Sequence, residues 1–215
     1  MLSAMEKIMF TIAYKGGESG CPEGGVYGEL VGYNWNSNNF EDDKFPPEGA
    51  ILDFYAQHKT VVTDFFYFGS EFICSGDFLA LIKSSNCGVV DVREIRLHQE
   101  SKVSPISPKK YFLVRSREIH KILDMEKSKY ELRLDPVTKD PEEDVFHPGR
   151  VIFDTISDFS IKKDICDLDF FISSEMLREE YVFSVELGER IIRLEMKGVM
   201  LIPSSELVYD AKLDF

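Results

Sequence analysis

Short apolar runs with a period near two alternate with turn formers along this chain, and two stretches instead space their apolar residues as on one face of a helix. Residues 7–14 (KIMFTIAY), 26–35, 61–68 (VVTDFFYF) and 72–74 are rich in β-branched and aromatic side chains and predict strands. The Gly-rich stretch 16–25 between the first two reads as a hairpin loop, and 41–47 as an exposed connector. Ser75 stands as an N-cap before a helix over 76–87 that gathers Phe78, Leu79 and Ile82 on one face, with Asn86 and Gly88 as the stop. Residues 89–97 (VVDVREIRL) predict a bulged or twisted strand, because Val90, Val92 and Ile95 do not share parity.

A Ser/Pro/Lys linker, 101–110, leads to strands at 111–114, around 130–134, at 151–153 and at 165–172. The segment 135–144 (DPVTKDPEED) carries two prolines and a crowd of acids, and reads as a solvated loop. The strongest helix spans 184–197, with Leu187, Ile191 and Leu194 at i, i+4 and i+7; Gly198 ends it before a strand at 199–202.

The order strand, Ser, helix, Gly, strand occurs twice. One copy runs from Phe72-Ile73-Cys74-Ser75 to Gly88-Val89. The other runs from Phe171-Ile172-Ser173-Ser174 to Gly198-Val199, or takes Ser184 as the equivalent cap. The expected fold is therefore α+β, with mixed, mostly antiparallel sheets, a few amphipathic helices and two related strand–helix–strand halves. The expected organisation is an N-terminal β/loop region, 1–60, packed on a main domain, 61–215.

Composition narrows the class. With 215 residues, 44% hydrophobic and 29% charged, the chain is globular rather than disordered. No run approaches the roughly 20 apolar residues that span a bilayer, and the first residues lack the pattern of a signal peptide, so a cytoplasmic location is expected. Four scattered cysteines without CxxC spacing then read as reduced thiols. A formal net charge of −13 disfavours nucleic acid and anionic membrane and favours encounters with basic proteins.

Catalytic chemistry finds little footing. The loop 16–25 contains Pro22 and glutamates and lacks the lysine of a phosphate-binding loop. His58, His98, His120 and His147 stand alone, as surface histidines without metal-ligand spacing. There is no GxSxG elbow, and Cys74, although near a helix start where a thiol pKa can fall, reads as core packing. The pairs Asp167/Asp169 and Asp124/Glu126 are what an acid-rich chain produces by chance. No cofactor, metal site or enzyme activity is expected.

Three segments carry a resemblance: FICSGDFLALIKSSNCGVVDV; the I-L-D-x-E-x-S-x-Y pattern from Ile122 to Tyr130; and Phe171-Ile172-Ser173-Ser174 followed by ERIIRLEMKGVMLIPS. Over about residues 72–203 the chain resembles the immunity proteins of bacterial polymorphic toxin systems, specifically the groups numbered eleven and forty-three. The acidic loop 135–144 and the stretch between Ser174 and Ser184 depart from that pattern. The resemblance implies a protein that binds and neutralises a cognate toxin domain. The competing readings are a small hydrolase reversing a toxin's modification and a structural assembly subunit. On the binding reading, Asp140, Glu142, Glu143 and Asp144 are candidate contacts for a basic toxin surface, and Tyr27, Tyr33 and Trp35 form a rival contact region.

Overall fold

The computed structural model of the chain describes residues 9–33, 45–69, 71–100, 102–144, 149–162, 167–173 and 180–210. The fold is α+β, with most strand pairs antiparallel. The largest sheet runs in the order β2 (Gly28–Val31), β3 (Ile51–Ala56), β6 (Val90–Gln99), β8 (Tyr111–Ser116), β5 (Glu71–Ser75), β4 (Phe65–Phe68), and β7 (Lys102–Pro105) folds back on β6. A second sheet runs β14 (Val199–Pro203), β1 (Met9–Tyr14), β13 (Glu180–Ser184), β12 (Phe170–Ser173), β9 (Ile119–His120). A third, small sheet joins β10 (Lys129–Leu132), β11 (Phe153–Asp158) and β15 (Tyr209–Asp210). The pairs β3–β6 and β9–β12 are parallel.

Two helices follow the two Ser caps. Helix α1 (Gly76–Lys83) begins where the Ser75 hydroxyl accepts from the Phe78 amide, and α2 (Val185–Arg193) begins where Ser184 accepts from Leu187. Each cap fills one of the donors that a helix start leaves open. Both helices end earlier than the sequence predicts. α1 stops at Ser84, so Cys87 lies beyond it, and Cys74 belongs to β5. α2 stops at Leu194, where Glu195 turns the chain with a positive φ of 50°. Leu194 is therefore exposed instead of continuing the buried stripe of Leu187, Gly188 and Ile191.

The repeated arrangement is built on Ser184, the second of the two caps considered. Strand β12 corresponds to β4, and β13 to β5. Phe65 pairs with Cys74 as Phe170 pairs with Phe183. Phe171-Ile172-Ser173 therefore matches Phe66-Tyr67-Phe68 rather than Phe72-Ile73-Cys74, and Ser174 lies outside the described residues. The next strand of each unit also matches in position. β8 sits between β5 and β6, while β1 sits between β13 and β14. The second half thus takes its fourth strand from the chain start, and the first sixty residues supply β1 to one sheet and β2 and β3 to the other.

The two units share a core. Phe65, Phe72, Phe78 and Ile82 from the first meet Phe170, Tyr181, Phe183, Leu187 and Ile191 from the second. At its centre, Phe72 stands edge-on to its counterpart Tyr181, with ring centroids 4.7 Å apart. That geometry adds about 0.5–1.5 kcal/mol beyond the area it buries. A second core, with Leu52, Phe54, Phe66, Ile73, Ile95 and Leu113, covers the other face of the large sheet. A third, with Met9, Phe171, Val182 and Ile156, covers the other face of the second sheet.

This layering explains where the predicted pattern gave way. Val90 and Val92 pack on the shared core while Ile95 and Leu97 pack on the second, so β6 buries both faces in turn without a bulge between them. The stretch 16–25 is not a hairpin, because β1 and the next strand enter different sheets. It is pinned by a Val62 amide donating to Gly20 and by the Tyr14 hydroxyl donating to Pro22. The 101–110 linker contains β7. Strands β3 and β13, absent from the sequence reading, fill out the sheets.

Candidate partner-binding surface

Strands β2 and β3 extend the large sheet beyond the repeated four-strand unit. On one face of this extension Leu30, Leu52, Phe54 and Ala56 are buried with Ile95 and Leu97 of β6. The pleat sends the alternate residues to the opposite face. The pairing registers there set Val31 beside Asp53 beside Arg96, and Glu29 beside Tyr55 beside His98. Ile51 lies beside Glu94, completing the face toward one end of β3. Tyr27, Gln57 and Glu100 close the other end, around a shallow depression shared with Gly28, Glu29 and Tyr55.

Much of this face is open: Tyr27 is 62% exposed, Val31 56% and Ile51 54%. Its middle is braced. Asp53 accepts from Arg96 at 2.7 Å and contacts His98 Nε2 at 2.8 Å, and the His98 ring stacks on Tyr55 with centroids 5.3 Å apart. Partial burial would raise the Asp53 carboxyl, but the hydrogen bonds from His98 and Arg96, with the Arg96 charge, hold it below the usual carboxylate range. His98, read from the sequence as a lone surface histidine, is thus largely buried and partnered.

The acidic segment 135–144 is exposed but more ordered than a free loop. Asp135 accepts from the Val137 and Thr138 amides, and those bonds lower its pKa. Backbone bonds from Glu142 to Arg133 and from Ile152 to Glu142 thread the segment between its neighbours. Asp140 and Glu143 are exposed and Glu142 and Asp144 are half-buried. Glu143 accepts from the Gly149 amide, and Asp144 lies 3.9 Å from the Arg150 guanidinium.

Tyr27 and Tyr33 part company. Tyr33 is half-buried, and its hydroxyl donates at 2.9 Å to Glu71, which is 1% exposed and also holds Arg115. Burial, with the Glu71 charge, pushes the Tyr33 phenol well up. The Arg115 and Arg93 guanidiniums both lie over the Phe45 ring, each 5.0 Å from its centroid. Trp35 lies outside the described residues.

Cys74 offers no activated nucleophile. It is fully buried, and burial, helped by the Asp64 carboxylate, pushes its thiol well above the ordinary value. Among the described residues, no three His, Cys, Asp or Glu side chains are grouped to hold a metal ion. No helix there is long and apolar enough to cross a membrane.

Of the extension, the sequence reading placed β2 within 26–35 but missed β3, which reads I-L-D-F-Y-A. Ile51 and Tyr55 on the outward face hide the alternation of Leu52, Phe54 and Ala56.

The model of the family described as Immunity protein 43 matches residues 27–215. The chain belongs to that family. Of the two groups it resembles by sequence, the match is to forty-three, and it reaches well before residue 72, taking in β2 and β3. As a member of Immunity protein 43, the chain carries the whole open extension inside the family region. No curated protein matches it.

Proposed function

We propose that this Immunity protein 43 member protects a bacterial cell by binding a cognate polymorphic toxin domain in the cytoplasm and covering it, without catalysing a reaction. The family match over residues 27–215 carries the reading. The raised Cys74 thiol agrees with it, since a thiol hydrolase needs the opposite shift. A net charge of −13 suits a basic partner and would speed their encounter. Asp140 and Glu143 on the acidic segment are proposed rim contacts, and Tyr27 an aromatic anchor.

The test is co-expression with the toxic domain encoded immediately upstream of this chain, followed by pull-down through one tagged partner. Rescue of growth with a stoichiometric complex is expected. Rescue without a complex would replace occlusion by an enzymatic reading, and absence of rescue would overturn the toxin assignment for that pair.

A further inference from the structure

We propose that the toxin docks on the open face of the β2–β3–β6 extension, and that it brings a basic surface with apolar anchors. The inference rests on the reading that this chain works by binding a toxin.

The extension stands apart from the scaffold. Four strands and a helix recur in both halves and enclose the shared core, whereas β2 and β3 lie outside that unit. One face of these strands is packed by the second core. The other carries Tyr27, Val31 and Ile51 in the open, with half-buried Tyr55 between them. Single exposed apolar residues are ordinary on protein surfaces. Gathered on one rigid sheet face around aromatic side chains, they have the make-up of an interface centre.

Charge selects the occupant. Asp53 is already paired with Arg96 and hydrogen-bonded to His98. Glu29, Glu94 and Glu100, on the same face, form no ion pair among the described residues. A partner that places lysines or arginines over these three carboxylates and apolar side chains over Ile51 and Val31 would satisfy both. The acidic segment 135–144 makes a poorer centre, because its turn and the Gly149 and Arg150 contacts already engage most of its carboxylates. The groove between α1 and α2 is a poorer centre as well, because its polar groups are tied to one another, among them Arg190 donating to Ser84 and Lys109 to Asp64.

Carboxyl footprinting of the unaltered chain, alone and with the upstream-encoded toxin domain, tests this directly. Glu29, Glu94 and Glu100 should lose labelling in the complex more strongly than the rim residue Asp140. Ile51→Lys and Glu94→Lys, both at exposed positions, should each weaken binding about tenfold or more, as substitutions at an interface centre do, with unchanged circular dichroism and melting. Glu143→Lys should change affinity by less than about threefold. Protection confined to other residues, or full affinity in both strand variants, would overturn the docking face while leaving the toxin reading intact. Failure of the unaltered chain to bind the domain at all would overturn that reading, and this one with it.

Discussion

Asp64 and Asp169 occupy the same place in the two halves and tie each half to the other. Asp64 accepts from the Ser75 hydroxyl and Asp169 from the Ser184 hydroxyl, so each carboxylate orients the cap of its own helix. Each then reaches across. The Asp64 amide donates to the Lys197 carbonyl while its carboxylate accepts from the Lys197 amide, in the turn after α2. Asp169 holds Asn86, in the turn after α1, by the same two bonds. Such reciprocal contacts are those of an isologous dimer, here within one chain.

The two sites differ in burial, which sets the cost of losing each cap. Ser184→Ala should destabilise by about 1 kcal/mol, the ordinary value of a helix N-cap. Ser75→Ala should cost about 2–3 kcal/mol, because Ser75 is fully buried and leaves the buried Asp64 carboxylate one donor short. Urea unfolding of the two variants checks the order, and equal losses would refute the argument.

Gly188 sits inside α2, where alanine would ordinarily add about 1 kcal/mol of helix stability. A Cβ there would lie 2.5 Å from Cδ2 of the Phe10 ring on β1. Overpacking costs about 1–3 kcal/mol, so Gly188→Ala should lower the melting temperature. At Gly198 both terms oppose alanine: φ is +71° and a Cβ would fall 1.9 Å from the Thr63 hydroxyl oxygen. Gly198→Ala should therefore be the more damaging of the two in thermal melts.

Tyr33 and Tyr27 should separate in function. Tyr33→Phe removes a donor from the buried Glu71 and should cost about 1–2 kcal/mol of stability while leaving toxin affinity unchanged. Tyr27→Ala, at an exposed position, should do the reverse. Melting curves and titration calorimetry on both variants decide it.

Asp53 predicts an acid limb. Its folded carboxyl titrates below the unfolded value because His98 and Arg96 outweigh its partial burial. The stability it contributes is therefore complete above the unfolded pKa, about 4, and is lost as pH falls through the folded value. Between about pH 5 and pH 3, Asp53→Asn should lose less stability than the unaltered chain. Urea midpoints at several pH values measure this, and parallel losses would remove Asp53 as a cause.

How far the chain could be read depended on whether a residue's surroundings lay nearby in sequence. Ser75 and the apolar face of α1 were legible because a cap and a helix stripe need only residues within a turn or two. The doubled strand–helix unit was legible for the same reason, although the choice between Ser174 and Ser184 needed the register of Phe65 with Cys74 and of Phe170 with Phe183. Leu194 misled, because its spacing continues a helix that Glu195 ends.

The sequence by itself determined local structure: strand and helix type, the caps, the acidic balance and the likeness to an immunity family. Only the tertiary structure decided that β1 completes a sheet begun near the other end of the chain, since strand pairing across such separations leaves no local trace. It alone set Val31, Ile51, Tyr55 and Glu94 on one open face, because pleat and register bring together residues that the chain keeps far apart.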